Sequence, residues 1–397
     1  MSGGNRVYIE GRLRIDLNPV AAPANRVRIE STRPLRAARV FEGRRPQEVL
    51  MQLPLLFSVC GVAQATAASR AFRQALSLVD TGPVDAARGL LVQMETAREH
   101  LWRIVIDWPK LIDEPAEAGR AAPLQAMMAA VRKAVFADAG AFSLRAEPRS
   151  DDGALHAQID RLDELLARLV FGSSPAQWLE IDGASGLNAW TRSTDTVAAR
   201  LLREVSRLGW QGVGATESTF LPDLPEVGLN RRLDAADAER FIAEPVWEGR
   251  TCETTPLARQ TDCELIRSLR REYGTGLLTR LTALLVELAR IPAAMREATA
   301  RAGPADSSEL GAGLPAGIGI GQVEAARGRL VHRVVLDDGR VQRYQILAPT
   351  EWNFHPAGVA ARGLGRLPDG NGTTLRRQAA MLVNSVDPCV GYDLRVH

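Results

Sequence analysis

The hydrophobic period changes twice along this chain, and that change limits its fold more than any other feature. From Val7 to Leu17 the odd positions read Val7, Ile9, Gly11, Leu13, Ile15 and Leu17 while most even ones are polar, the two-residue period of a half-buried strand. Val27 and Ile29 repeat it. A helical pattern then takes over. Pro46 opens one helix, an alanine-rich one follows the turn at Ser58 to Gly61, and a third runs from Gly82-Pro83 through Leu90, Leu91, Met94, Leu101 and Ile104 until Pro109 stops it. Others fit 155–169, 194–208 and 262–301. The period of two returns in Leu330 to Leu336 and Arg340 to Leu347, around the hairpin signal Asp338-Gly339, and a last helix spans Thr374 to Val386. These patterns predict an α+β protein, helix-dominated, with small N-terminal and C-terminal β elements. One domain over 1–397 is expected: strands and entry over 1–57, a helical body over 58–301, a flexible loop over 302–319, and the hairpin with the C-terminal cysteine segment over 320–397.

Composition removes several function classes. The 49 basic and 47 acidic residues leave +2, so no strong field points toward nucleic acid or an anionic membrane. All basic residues except Lys110 and Lys133 are arginine, a bias read as codon usage. Trp102, Trp108, Trp352 and Phe354 are interleaved with apolar sequence rather than basic clusters, which favours core packing over base stacking. The most apolar stretch, Gly276 to Met295, is interrupted by Arg280, Glu287 and Arg290, so no membrane insertion is expected. Met1 to Arg14 carries charges and Gly3-Gly4 in place of a secretory apolar core, which predicts a cytoplasmic protein. The four cysteines, Cys60, Cys252, Cys263 and Cys389, are too few and too dispersed for a disulfide framework and form no CxxC. Cys252 and Cys263, with no histidine between them, read as structural.

The two remaining cysteines stand in informative surroundings. Phe57-Ser58-Val59-Cys60-Gly61-Val62-Ala63 and Ser385-Val386-Asp387-Pro388-Cys389-Val390-Gly391-Tyr392 resemble the paired metal motifs of [NiFe]-hydrogenase large subunits, each a CxxC in that family. Here Ala63 and Tyr392 take the second-cysteine positions, Ser58 replaces an arginine, and Ala67 and Arg395 replace histidines, with His397 two residues beyond. Weaker matches follow in the family's order. They are Ile9-Glu10-Gly11-Arg12-Leu13-Arg14, Phe41-Glu42-Gly43-Arg44, Glu253-Thr254-Thr255-Pro256-Leu257-Ala258-Arg259 and Glu324-Ala325-Ala326-Arg327-Gly328. Tyr344-Gln345 and Ala348-Pro349-Thr350-Glu351-Trp352-Asn353, continued by Phe354-His355-Pro356, look specifically like the HupK/HoxV group of hydrogenase expression/formation proteins.

The resemblance implies a large-subunit-like fold and a role in building the hydrogenase metal centre. The family's bimetallic site needs four thiolates, and this chain offers two. It therefore reads as a non-catalytic maturation scaffold, not an enzyme, with no permanent NiFe centre. Cys60 and Cys389 match the family's terminal nickel ligands, and the resemblance points to them as transient holders of an Fe(CN)2CO fragment; the alternative is a thiol pair that binds no metal, in an interaction protein. Accessory chaperones of the HypC/HypD type and the hydrogenase large subunit are the implied partners. Arg327 matches an arginine over the metal site, where a guanidinium can donate to cyanide nitrogens; a surface ion pair is the alternative. Cys60 sits at a helix entrance, which is expected to lower its pKa. Glu10 matches a proton-route glutamate but is equally explained by a salt bridge, and His100 reads as a hydrogen-bonded packing residue.

Overall fold

The two stretches of two-residue period become two separate three-stranded sheets in the structure, a computed structural model that describes residues 11–57, 59–78, 82–136, 140–149, 151–300, 313–368 and 372–397. In the first sheet β1 (Arg12–Leu17) pairs antiparallel with β2 (Val27–Ser31), placing Ile15 opposite Ile29. Alternation along β1 buries Leu13, Ile15 and Leu17. The expected strand from Val7 is thus seen from Arg12 onward; its first residues lie outside those described. On the other side of β1 runs β6 (Gly391–Val396), in parallel, with Leu13 beside Tyr392 and Ile15 beside Leu394. A parallel pair needs a long crossover, and here nearly the whole chain is that crossover.

The second sheet is antiparallel, in the order β3 (Ile318–Ala325), β4 (Gly328–Asp337) and β5 (Arg340–Leu347). Asp338 and Gly339 both have positive φ, as a two-residue hairpin turn demands. β3 shortens the loop expected over 302–319: from Ile318 the chain is strand.

Helices fill the remaining space. They begin with α1 (Pro46–Leu56), α2 (Gly61–Ala75) and α3 (Gly82–Trp102). α2 lies directly on β3. A methyl group on Gly321 or Gly319 would sit 1.9 Å from the carbonyl oxygen of Ala67 or Ala71, so only glycine permits this approach. Pro109 does not stop the helical path of α3. A wide π turn over Arg103–Asp107 leads into Trp108–Leu111, where Pro109 falls in the first turn and needs no N–H partner. The single helix expected over 262–301 is two, Glu264–Tyr273 and Leu277–Ala300. Between them Gly274 takes φ +61°, and Gly276 packs so tightly on the Gln211 carbonyl that a Cβ would lie 2.5 Å from it. Leu277–Ala300 is the central helix, and two of the charges that interrupt it are internal, Arg280 paired with buried Glu253 and Glu287 with Arg259, while Arg290 reaches outward to Asp262. No helix of the described residues is long and apolar enough to cross a membrane.

Candidate functional site

Five segments remote in sequence converge on one small cavity. Cys60 is the N-cap residue of α2, and Gln64 follows one turn later. Cys389 sits between the helix Gly372–Val386 and β6, so the β1–β6 pairing holds it near the N-terminal segments. Arg327 occupies the two-residue turn joining β3 to β4, and Arg33 lies just beyond β2. Together with apolar walls that include Pro349, these side chains enclose a cavity of about 20 Å3.

Local contacts fix each sulfur. The Cys389 N–H donates to Thr350 Oγ1 (3.3 Å), and that hydroxyl lies 2.8 Å from Cys389 Sγ. Gln64 Nε2 approaches Cys60 Sγ at 3.6 Å. The expectation of a lowered Cys60 pKa fails. The N–H groups of Val62 and Ala63, the start of α2, already donate to the Glu95 carboxylate at 2.9 Å each. Burial pushes the Cys60 thiol well up, and the neighbouring Cys389 and Glu95 push it further. Burial also raises Cys389, against the opposing charge of Arg33. Both residues are therefore thiols at neutral pH. Glu95 itself is raised to about 7 by burial, in spite of its two backbone donors and Arg98.

Two cations face the thiols. Arg33 pairs with Glu351 at 3.1 Å. Arg327 pairs with Glu99 at 2.7 Å and Asp387 at 3.3 Å, and it is buried, so the alternative of a surface ion pair does not hold. Asp387 is also buried; burial opposes its ionisation, but Arg103 and Arg327 win and keep it below the usual carboxylate range.

The positions where the family carries further ligands hold packing groups instead. Ala63 and Ala67 are fully buried in the α2 interface. Tyr392 extends from β6, its hydroxyl accepting from Asn384 at 2.9 Å, and His397 pairs with Asp16 at an exposed edge. Among the described residues no cluster of three or more His, Cys, Asp or Glu side chains is placed to hold a metal. His100 is a buried partner of Glu287 at 2.7 Å, as a packing histidine should be. Cys252 and Cys263 are buried in other parts of the core. Glu10 and Ser58 lie outside the described residues. Sequence reasoning brought Cys60, Cys389 and Arg327 together but missed Arg33 and Gln64, which carry no local pattern of their own.

A model of the nickel-dependent hydrogenase family matches residues 265–364. The hydrogenase expression/formation protein HupK of Rhizobium leguminosarum bv. viciae is 31% identical over 393 residues, covering 97% of this chain and 96% of its own. HoxV of Cupriavidus necator, another hydrogenase expression/formation protein, is 30% identical over 394 residues, 96% of this chain and 94% of its own. Among solved structures, an NAD+-reducing [NiFe]-hydrogenase in the H2-reduced state is similar with a TM-score of 0.61 at 15% identity, over 91% of this chain and 92% of that one. This last likeness is one of fold. The helix-dominated architecture is thus that of [NiFe]-hydrogenase large subunits, and the full-length similarity shows that the chain belongs to the HupK/HoxV family of hydrogenase expression/formation proteins.

Proposed function

We propose that this chain is a non-catalytic scaffold in [NiFe]-hydrogenase maturation, holding an Fe(CN)2CO fragment between Cys60 and Cys389 for transfer to the hydrogenase large subunit. The observation that carries the reading is the meeting of two half-buried thiols and two arginines, from opposite ends of the sequence, on one small cavity. Soft sulfur ligands suit iron, whereas a bimetallic centre with four thiolates has only two here. Each thiol gives up its proton as the metal arrives, so loading releases protons. Arg33 and Arg327 then offset the charge of the thiolates and cyanides, and the planar Arg327 guanidinium can donate to a cyanide nitrogen. In this reading chaperones of the HypC/HypD type deliver the cargo.

A second reading, a metal-free interaction protein on the same fold, draws on the burial that keeps both thiols protonated. Infrared spectra of protein isolated without oxygen from cells with the full maturation machinery separate the two. The scaffold reading expects cyanide and carbon monoxide bands in the wild type that vanish in Cys60→Ala and Cys389→Ala. Absence of bands in the wild type favours the metal-free reading.

A further inference from the structure

Cys60 is the end of a buried polar chain that starts on the second sheet. Tyr344 Oη lies 2.7 Å from His332 Nδ1, His332 Nε2 lies 2.8 Å from Gln64 Oε1, and Gln64 Nε2 lies 3.6 Å from Cys60 Sγ. Gln64 and Tyr344 are each 2% exposed and His332 is fully buried, so the chain runs through the interior of the protein. Burial, together with the charge of Arg33, drives the His332 pKa down to about 3, so the ring carries one proton at neutral pH.

A chain of this kind has two polarities. In one, Tyr344 donates to Nδ1, the His332 proton sits on Nε2 and donates to the Gln64 carbonyl, and the amide N–H faces the sulfur. In the other every bond reverses: Nδ1–H donates to the tyrosine oxygen, the amide turns over, and its carbonyl accepts from the Cys60 S–H. The tyrosine decides between them. Among the described residues the only hydrogen-bond partner of Tyr344 Oη is His332 Nδ1. Reversal would leave its buried O–H with no acceptor, a penalty of roughly tenfold or more in population.

We infer that Tyr344 and His332 lock Gln64 as a positioning residue whose amide N–H faces Cys60, presetting that sulfur as a hydrogen-bond acceptor. Resting on the scaffold reading, this gives the relay a purpose. An N–H on a metal-bound thiolate withdraws electron density from it and weakens its hold on the iron, which favours hand-over. Thr350 Oγ1, 2.8 Å from Cys389 Sγ, can do the same for Cys389 once that sulfur is a thiolate, which accepts and cannot donate.

Nitrogen-15 spectra of the full chain, labelled at histidine, read the polarity without cargo. The wild type is expected to show the His332 proton on Nε2, with the resonance assigned by its loss in His332→Gln, and Tyr344→Phe should move population toward Nδ1–H. In loaded protein, Gln64→Met and Tyr344→Phe should keep the carbon monoxide band but shift it to lower frequency, because a richer iron back-donates more. A wild-type proton on Nδ1, or a Tyr344→Phe spectrum unchanged at both nitrogen and carbon monoxide, overturns the inference. If no bands appear even in the wild type, the cargo reading falls, while the nitrogen spectrum still decides the polarity of the relay.

Discussion

At the scale of single residues, the cavity depends on charges that are buried but paired. Arg327 holds two buried carboxylates, Glu99 and Asp387. Arg327→Ala leaves Glu99 to Arg98 and Asp387 to Arg103 alone, each carboxylate having lost one of two cations, so a loss of about 1–3 kcal/mol is expected, to be read from denaturant unfolding. Arg327→Lys keeps the charge but loses the planar fork, and its stability should fall between the two. A loss under about 0.5 kcal/mol for the alanine variant would mean that Arg98 and Arg103 fully compensate the two carboxylates and that the pairing with Arg327 is incidental. Cys60 teaches a related lesson at this scale. Its place at a helix start was legible in the sequence, but its ionisation was not, because Glu95 on α3 had already taken the N–H groups that would have favoured a thiolate.

The elements that carry the site are held by close approach more than by side-chain bulk. α2, which bears Cys60, meets β3 through Gly319 and Gly321. Gly321→Ala must push the strand and helix apart, so we expect about 1–3 kcal/mol of destabilisation or more and a disturbed cavity. Gly89, in α3, is the contrast: nothing lies within 4 Å of a methyl group there, and Gly89→Ala should stabilise the protein by about 0.5–1 kcal/mol. Parallel thermal melts of the two variants compare them directly, and equal shifts in the same direction would refute the contact argument. Ala63 and Ala67, at the second-cysteine and histidine positions of the first motif, lie on the packed face of the same helix.

For the whole molecule, three buried groups shape stability against pH. Glu287 would be raised by burial, but Arg259 and His100 hold it at about 2. Its contribution is present above its ordinary value of about 4.3 and is lost as pH falls from there toward 2. His332, pushed down to about 3, binds fewer protons folded than unfolded, so stability also falls as pH drops through the range below its ordinary value of about 6.5. Glu95, raised to about 7, works in the opposite sense and costs stability as pH rises from about 4.3 to 7. His332 and Glu95 therefore oppose each other at mildly acidic pH, whereas Glu287 and His332 act together below it. The melting temperature should change little between about pH 7 and 4.5 and then fall steeply. Glu287→Gln should be less stable than the wild type at neutral pH, with the gap closing as pH approaches 2; a constant gap would remove Glu287 from this account. Truncation after Val390 tests the topology, since it strips β1 of its parallel partner and should speed hydrogen exchange across residues 12–17.

Local patterning determined a good deal of this protein. Alternation marked β1, β2 and the β4–β5 hairpin, helical spacing marked most of the body, and the two cysteine segments marked both ends of the site. β6 went unread, although Tyr392, Leu394 and Val396 alternate with Asp393 and Arg395, because six residues at the chain's end carry no sign of their partner. The splitting of 262–301, the strand at 318–325, the parallel β1–β6 pair, the entry of Arg33 into the cavity and the polarity of the Tyr344–His332–Gln64 chain were decided only by tertiary structure. Period reports which face of one element is buried. Which remote segment covers that face, and what burial and neighbouring charges then do to a thiol or an imidazole, depends on contacts that no single stretch of sequence contains.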